Sequence, residues 1–385
     1  MMLLVVGYPL LLVFTAFLTV PLELFLKRRI ITQAKQKIAQ FPDLLIIGVT
    51  GSYGKTSVKE ILKAMLESRM KVIATPWTHN TPLGISEFIL KHLSEETQIM
   101  IVEMGAYLPG DIAQLCEIAK PNIAVLTGIT QQHLERFKSL ENIIQTKFEI
   151  TKKLTGSDFF FTDGENSAIK EGLEKYTKNN SFSIKKIWSL KVDYLPDFAG
   201  ITFTFEGEKY ETQLLGKHSA KNIALAIAVA THLGIPTETL QEISKRLPFI
   251  PHRLEVLRNE RTGITVIDDS FNGNKEGVAS TIDLLRQTPF GGRKVYLTPW
   301  LVELGKESDD IHLEIGRNLA SAVDLAVLIE NFATIKIQEG LLEAGFTAEN
   351  IQIFSTPLQA HKALSSLLKK GDVIVFQNDW TDNYL

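Results

Sequence analysis

The chain of 385 residues has a single cysteine, no internal repeat, no low-complexity tract and no excess of basic residues. One thiol, Cys116, leaves no intrachain disulfide and no thiol cluster for a zinc ribbon. It lies in the helical pattern of residues 110–119 with no cation beside it, so it reads as a small buried apolar side chain rather than a reactive nucleophile. A formal net charge of −3 excludes the global basic field that nucleic acid as main partner would require. Charge is missing altogether from residues 1–22, a run long enough to cross a bilayer core of ~30 Å as a helix, and Lys27-Arg28-Arg29 follow it. A cleaved signal peptide has its positive charge before the apolar run, the reverse of this order. The positive-inside rule puts Lys27, Arg28, Arg29, Lys35 and Lys37 in the cytoplasm. The prediction is a single-pass anchor of the inner membrane over 1–26 and a basic juxtamembrane linker over 27–42, on the anionic leaflet or in solvent, with the rest cytoplasmic. A buried or monotopic N-terminal helix is the alternative.

What is present from residue 43 onward is an alternation of short apolar runs and helical patterns, the mark of an α/β fold with a mostly parallel sheet covered by helices. Strands are predicted at 44–49, 71–74, 98–103, 122–126 and 158–161, and helices at 55–69, 83–93, 110–119 and 140–154. Residues 201–205 and 210–214 alternate apolar and polar, as antiparallel strands do, and a long helix is predicted over 219–233. Pro248-Phe-Ile-Pro251 disfavours helix and marks a boundary between domains 43–249 and 250–385. The second unit has strands predicted at 264–268, 294–297, 325–329, 351–354 and 372–376.

The most informative stretch is Gly48-Val-Thr-Gly-Ser-Tyr-Gly-Lys-Thr56, a glycine-rich turn between a predicted strand and helix. Backbone N–H groups around Gly51, Ser52 and Gly54 can face phosphate, Lys55 supplies charge, and the Thr56 hydroxyl suits Mg2+. The common P-loop would place its first glycine at Val49, so the spacing is a variant. Glu103 ends a predicted strand, where open α/β sheets face their ligand, and reads as a metal ligand in preference to a solvated acid. His133 follows another strand end, with metal or phosphate binding balanced against a plain surface role. Lys147 and Asn222 stand on helices and would not be selected by pattern alone. Asp268-Asp-Ser-Phe-Asn272-Gly-Asn274 is either a turn or a ribose or adenine contact, and Arg253 either clamps phosphate or bridges the domains.

Together these motifs resemble the Mur ligase family, and within it the MurF type. The matches run in order: Gly48 to Thr56, Glu103-Met-Gly105, Thr127-Gly-Ile-Thr-Gln-Gln-His133, Lys147-x-Glu149, Gly216-Lys-His218 with Asn222, Pro251-His-Arg-Leu-Glu255, Asp268 to Asn274, and Glu303-Leu-Gly305 with His312 and Gly316. The resemblance implies a central ATP-binding domain and a C-terminal Rossmann-like domain that closes on it. It also implies a two-step reaction. A carboxylate takes the γ-phosphoryl group of ATP to give an acyl phosphate and ADP, and an amine then displaces phosphate to form an amide. Lys55, Glu103, His133 and Lys147 would be catalytic, and Thr56, Glu103, His133 and a carbamylated Lys147 would hold two Mg2+ ions. Asn222, Arg253, Asp269 and Asn272 would contact ATP. The implied substrates are a muramoyl-tripeptide and D-alanyl-D-alanine, used in peptidoglycan synthesis; the sequence leaves the oligomeric state open, with a monomer favoured.

Departures fall where substrate is selected. Only residues 1–42 precede the ATP-binding domain, so the UDP-sugar domain of the family has no counterpart in this sequence, and Asn272-Gly-Asn-Lys275, Thr298-Pro-Trp-Leu-Val302 and Gln377-Asn-Asp-Trp380 replace familiar segments. Two further readings follow: a non-catalytic nucleotide-binding scaffold at the membrane, or a ligase of this type for a folate or lipid-linked substrate.

Overall fold

The computed structural model describes the backbone of residues 2–77, 79–130, 134–271, 273–298, 300–302 and 304–380, and the side chains of 17, 19–77, 79–130, 136–270, 273–298, 300–302, 304, 305 and 307–377. Strands β1 (Leu45–Thr50), β2 (Val72–Ala74), β3 (Ile99–Glu103), β4 (Ile123–Leu126), β5 (Phe159–Asp163) and β6 (Ser183–Ile187) form a parallel sheet in the order β2-β3-β1-β4-β5-β6. Successive residues point to opposite faces. Ile46, Met100, Ala124 and Phe160 enter one core, whereas Ile47, Ile101, Val125 and Phe161 enter the other. Both faces are buried, which is why these strands read as continuous apolar runs.

The flanking helices are α1 (Met2–Ile38), α2 (Lys55–Leu66), α3 (Pro82–His92), α4 (Asp111–Ile118), α5 (Leu134–Phe137), α6 (Leu140–Phe148) and α7 (Ser167–Tyr176). A three-stranded antiparallel sheet of β7 (Val192–Tyr194), β8 (Ile201–Phe205) and β9 (Glu208–Thr212) follows, then α8 (Lys217–His232) and α9 (Thr237–Lys245). Helix α8 is buried on nearly every side because it lies among α2, the main sheet and the small one. The helix predicted over 140–154 stops at Phe148 and continues as a 3-10 turn, Glu149–Lys153. There the Glu149 carboxylate accepts the N–H groups of Gly110 and Ala113, both at 3.0 Å, and so caps α4, a contact that local periodicity cannot reveal.

The basic segment expected as a linker is docked instead. Ala34 is fully buried, Ile31, Ile38 and Phe41 pack on the same core, and Lys37 Nζ donates to the Leu90 carbonyl at 2.9 Å. Residues 31, 34 and 38 share one helix face, and burying that face outweighs solvation of the neighbouring bases. Farther along α1, Phe17, Leu22 and Phe25 are exposed. Among the described residues no helix is long and apolar enough to cross a membrane.

The second unit is a sheet of β10 (Glu255–Asn259), β11 (Ile264–Phe271), β12 (Lys294–Thr298), β13 (Leu325–Ile329), β14 (Ile351–Phe354) and β15 (Val373–Trp380) in the order β10-β11-β15-β12-β13-β14. Only β10 runs antiparallel to its neighbour. Helices α10 (Lys275–Gln287), α11 (Ser308–Leu319), α12 (Phe332–Glu343) and α13 (Pro357–Leu367) cover it. Phe198 and Leu215 of the first unit join this second core, and the Phe198 and Phe290 rings lie 5.3 Å apart. Two motif residues prove to be structural. His312 is buried, with Nε2 accepting from the Leu301 N–H at 3.0 Å and Nδ1 donating to the Ser308 carbonyl at 2.7 Å. Gly316 and Gly340 let α11 and α12 touch backbone to backbone, since a Cβ at Gly316 would lie 2.1 Å from the Ile337 carbonyl oxygen. Backbone cannot yield as a flexible side chain would. Gly316→Ala is therefore expected to lower the denaturant midpoint by the equivalent of about 1–3 kcal/mol. An unchanged midpoint would show that the helices separate freely.

Candidate nucleotide site

The C-terminal ends of β3, β1 and β4 lie side by side, and the turn after β1 takes a backbone path that only glycine fits. Gly51 has φ 154°, and a Cβ there would come 2.1 Å from Thr127 Oγ1. Gly54 has φ 75°, and its Cβ would meet Asn222 Oδ1 at 2.8 Å. Neither position tolerates a side chain. Ser52 is tied to the end of β4, its N–H donating to the Gly128 carbonyl at 2.8 Å, and the Thr127 hydroxyl donates to the Tyr53 carbonyl. Helix α2 begins at once and carries no side-chain cap, so its first N–H groups face the turn. Lys55 folds over the turn with Nζ donating to the carbonyls of Gly51 (2.9 Å) and Ser52 (3.2 Å). Its pKa is lowered, chiefly by burial, with Glu103 opposing the shift and Arg253 adding to it. An uncapped helix start, a turn that only glycine fits and a lysine above it suit a polyphosphate.

Glu103 is buried at the end of β3, opposite Val49 of β1. Thr56 Oγ1 donates to Glu103 Oε1 at 3.3 Å, and Lys59 Nζ lies 3.2 Å from Oε2 as an ion pair outside hydrogen-bond geometry. Two hard oxygen donors, Thr56 Oγ1 and Glu103 Oε1, fit a Mg2+ ion. Lys147 on α6 is 4% exposed. Its amine is pushed down to about 7, first by burial and then by the charge of Lys55, with Asp111 and Glu149 opposing.

From the other side come Arg253 and Asp269. Arg253 lies between two residues with left-handed backbone, His252 at φ 60° and Leu254 at φ 48°, and its pKa is lowered by burial against the opposing charges of Asp269 and Glu103. Asp269, on β11, accepts from Thr281 Oγ1 at 2.9 Å and Gln377 Nε2 at 2.6 Å. Burial pushes its carboxyl up to about 6, with Thr281 and Arg253 opposing. Between the two units lies a cavity of about 460 Å³, with Tyr53, Gly54, Asn222, Arg253, Asp269 and Asn274 in its wall. His218 Nδ1 meets Ser280 Oγ at 2.9 Å across the gap and Lys217 pairs with Asp283 at 2.7 Å. Burial, aided by Arg253, lowers His218 to about 4, so the ring is neutral at pH 7.

Of the residues singled out in the sequence, Gly51, Ser52, Gly54, Lys55, Thr56, Glu103, Lys147, Asn222, Arg253 and Asp269 are thus placed on or beside this site. His133 and Asn272 lie outside the described residues. Sequence reasoning missed Lys59, Thr281, Gln377 and the Asp163–Lys221 pair at 3.0 Å on the cavity wall. Lys59 alone left a signal, a cation three residues after Thr56 beside the apolar stripe of α2. The Cys116 thiol is buried, 3.8 Å from Met104 Sδ, and pushed up to about 12, which makes it inert.

Residues 49–230 match the Mur ligase middle domain and residues 252–377 the Mur ligase, glutamate ligase domain. The UDP-N-acetylmuramoyl-tripeptide–D-alanyl-D-alanine ligase of Bacillus subtilis (strain 168) is 27% identical over 334 residues, 86% of this chain and 72% of that protein. The ligase of the same name from Mycobacterium tuberculosis (strain H37Rv) is 30% identical over 300 residues, which are 74% of this chain and 58% of that one. The crystal structure of MurF ligase from Thermotoga maritima in complex with ADP superposes with a TM-score of 0.75 at 26% identity, covering 91% of this chain and 80% of the other. Fold, site and relatives define an ATP-dependent ligase that forms an amide from a carboxylate and an amine. Both units of the chain are Mur ligase domains, and it belongs to the Mur ligase family.

The depressed Lys147 pKa has a direct consequence for stability. The unfolded chain keeps this amine protonated up to about 10.5 whereas the folded protein releases the proton near 7, so between these values the unfolded state binds more protons and stability rises with pH. Relative to Lys147→Met, the wild type should gain up to about 1 kcal/mol per pH unit across that window, read from denaturation midpoints. A difference independent of pH would show an ordinary, charged lysine.

Proposed function

We propose that the chain joins D-alanyl-D-alanine, or an amine close to it, to the free carboxylate of a muramoyl-tripeptide precursor at the expense of ATP. The observation that carries the reading is the meeting of the phosphate turn from one unit, at Tyr53 and Gly54, with Arg253 and Asp269 from the other around one cavity, with the Glu103 charge acting on Arg253. The names of the relatives supply the substrates. In this reading the N–H groups of α2 and the turn bind the phosphates, Lys55 offsets charge on the transferred phosphoryl group, and Asn222, Arg253, Asp269 and Asn272 contact ATP. Thr56 and Glu103, together with His133, hold Mg2+. When bound, Mg2+ offsets the charge of the phosphates. Lys147 near pH 7 is partly the free amine, the form that adds CO2 and loses a proton to become a carbamate, and so acts as an acid group in place of a base.

The expected result is phosphate release only when both the carboxylate and the amine are supplied, with a product heavier by the amine less one water in mass spectra. Glu103→Gln and Lys55→Ala should each lower kcat by about a hundredfold or more. Steady ATP hydrolysis with no amide product across UDP-linked and lipid-linked tripeptides would sink the proposal.

The charge-free residues 1–22, the bases after them and the exposed Phe17, Leu22 and Phe25 favour attachment of α1 to the cytoplasmic membrane, with the ligase units on the side where ATP is found. The full chain should then stay in the membrane pellet after alkaline carbonate extraction. Complete release into the supernatant would rule the anchor out.

A further inference from the structure

Lys59 stands in the middle of α2, fully buried, with its ammonium 3.2 Å from Glu103 Oε2 and 3.3 Å from Glu60 Oε1. Neither Lys59 Nζ nor Glu103 Oε2 makes a hydrogen bond, so the contact is charge against charge. Its place three residues after Thr56 puts hydroxyl and ammonium on the one helix face that meets the end of β3. The carboxylate is therefore divided between two partners. Oε1 faces Thr56 Oγ1 at 3.3 Å, and Oε2 faces Lys59. The Glu103 backbone is fixed as well, its N–H donating to Thr75 Oγ1 at 3.0 Å.

We propose that Lys59 is a positioning residue that limits Glu103 to coordinating a divalent cation through one oxygen, and that it thereby selects Mg2+ over Ca2+. This rests on the metal role proposed for Glu103 above. Mg2+ is small, demands near-octahedral geometry and takes one oxygen per carboxylate, whereas Ca2+ is larger, accepts more ligands and readily uses both oxygens of a carboxylate. An ammonium against Oε2 occupies the side from which a cation would span both oxygens, and its charge repels an ion centred there. Oε1 has the Thr56 hydroxyl beside it instead of a cation.

The test is the affinity of the full chain for ADP, measured by calorimetry in saturating Mg2+, in saturating Ca2+ and in EDTA, for wild type, Lys59→Met and Lys59→Arg. Wild type should bind ADP at least about tenfold more tightly with Mg2+ than with Ca2+, Lys59→Arg should keep that preference, and Lys59→Met should lose most of it because Ca2+ gains. A folded Lys59→Met protein with the wild-type preference overturns the inference. Should that variant not fold, wild type decides: equal affinities in Mg2+ and Ca2+ overturn it, and a tenfold preference retained by Lys59→Arg supports it. If neither cation changes ADP affinity relative to EDTA, the metal role of Glu103 fails and the inference falls with it. If the cations act but Lys59→Met changes nothing, the inference fails alone.

Discussion

Burying a carboxylate against a buried ammonium at the end of a central strand is the constraint on which this site depends. Lys59 and Glu103 are almost wholly removed from water and lie 3.2 Å apart. At an effective dielectric of about 20 their attraction amounts to roughly 5 kcal/mol, and desolvating the two ions costs several kcal/mol each. The pair is close to neutral for stability, and an apolar pair of the same volume would serve the fold as well. Loss of one partner is a different matter, since it strands the other charge at a cost of about 3–5 kcal/mol. A sequence under pressure for stability alone has no reason to retain such a pair. Charge at this point is instead held ready for something that arrives, and the turn beside it, with its glycine-only positions and uncapped helix start, is shaped for phosphate.

The same crowding of charge acts on Lys147, which is partly the free amine at pH 7 because burial and the Lys55 charge act together. Glu149, two residues on, is spent on capping α4. The Lys147-x-Glu149 match is thus one buried amine and one helix cap, joined by the turn in which α6 becomes a 3-10 helix.

The strands β1, β3, β4 and β13 were legible in the sequence because both their faces are buried, so their composition is uniformly apolar and bounded by polar turns. Short edge strands such as β6, β7 and β10 carried no such signal, since half their residues face water. The phosphate turn was legible from Gly51, Gly54, Lys55 and Thr56 because backbone conformation itself demands those residues. Lys147 was not, because burial of a helix lysine is decided by tertiary packing that its own helix does not encode. Gln377 meets Asp269 from 108 residues away through the β11–β15 pairing, and Thr281 meets it from α10, contacts that only the fold creates. The docking of α1 was written at Ile31, Ala34 and Ile38, but the bases between them masked that stripe.

The way the two units share the site sets what can move. Their cores merge at Phe198, Leu215 and Leu254, and Arg258 donates to the Asp197 and Phe198 carbonyls at 2.8 and 3.1 Å, so the side near the small sheet behaves as a fixed edge. On the cavity side the link is a few polar contacts, His218 to Ser280, Lys217 to Asp283 and Thr130 to Glu276 at 2.6 Å. Apolar contact on one edge and exchangeable polar contact on the other is the distribution of a hinge. Rotation about the apolar edge would carry Arg253 and Asp269 toward or away from the phosphate turn while leaving both sheets intact. Arg253 already responds to the Glu103 charge in the opposite unit. Nucleotide bound between them would therefore draw the units together through the same charges that, without it, are costly to bury.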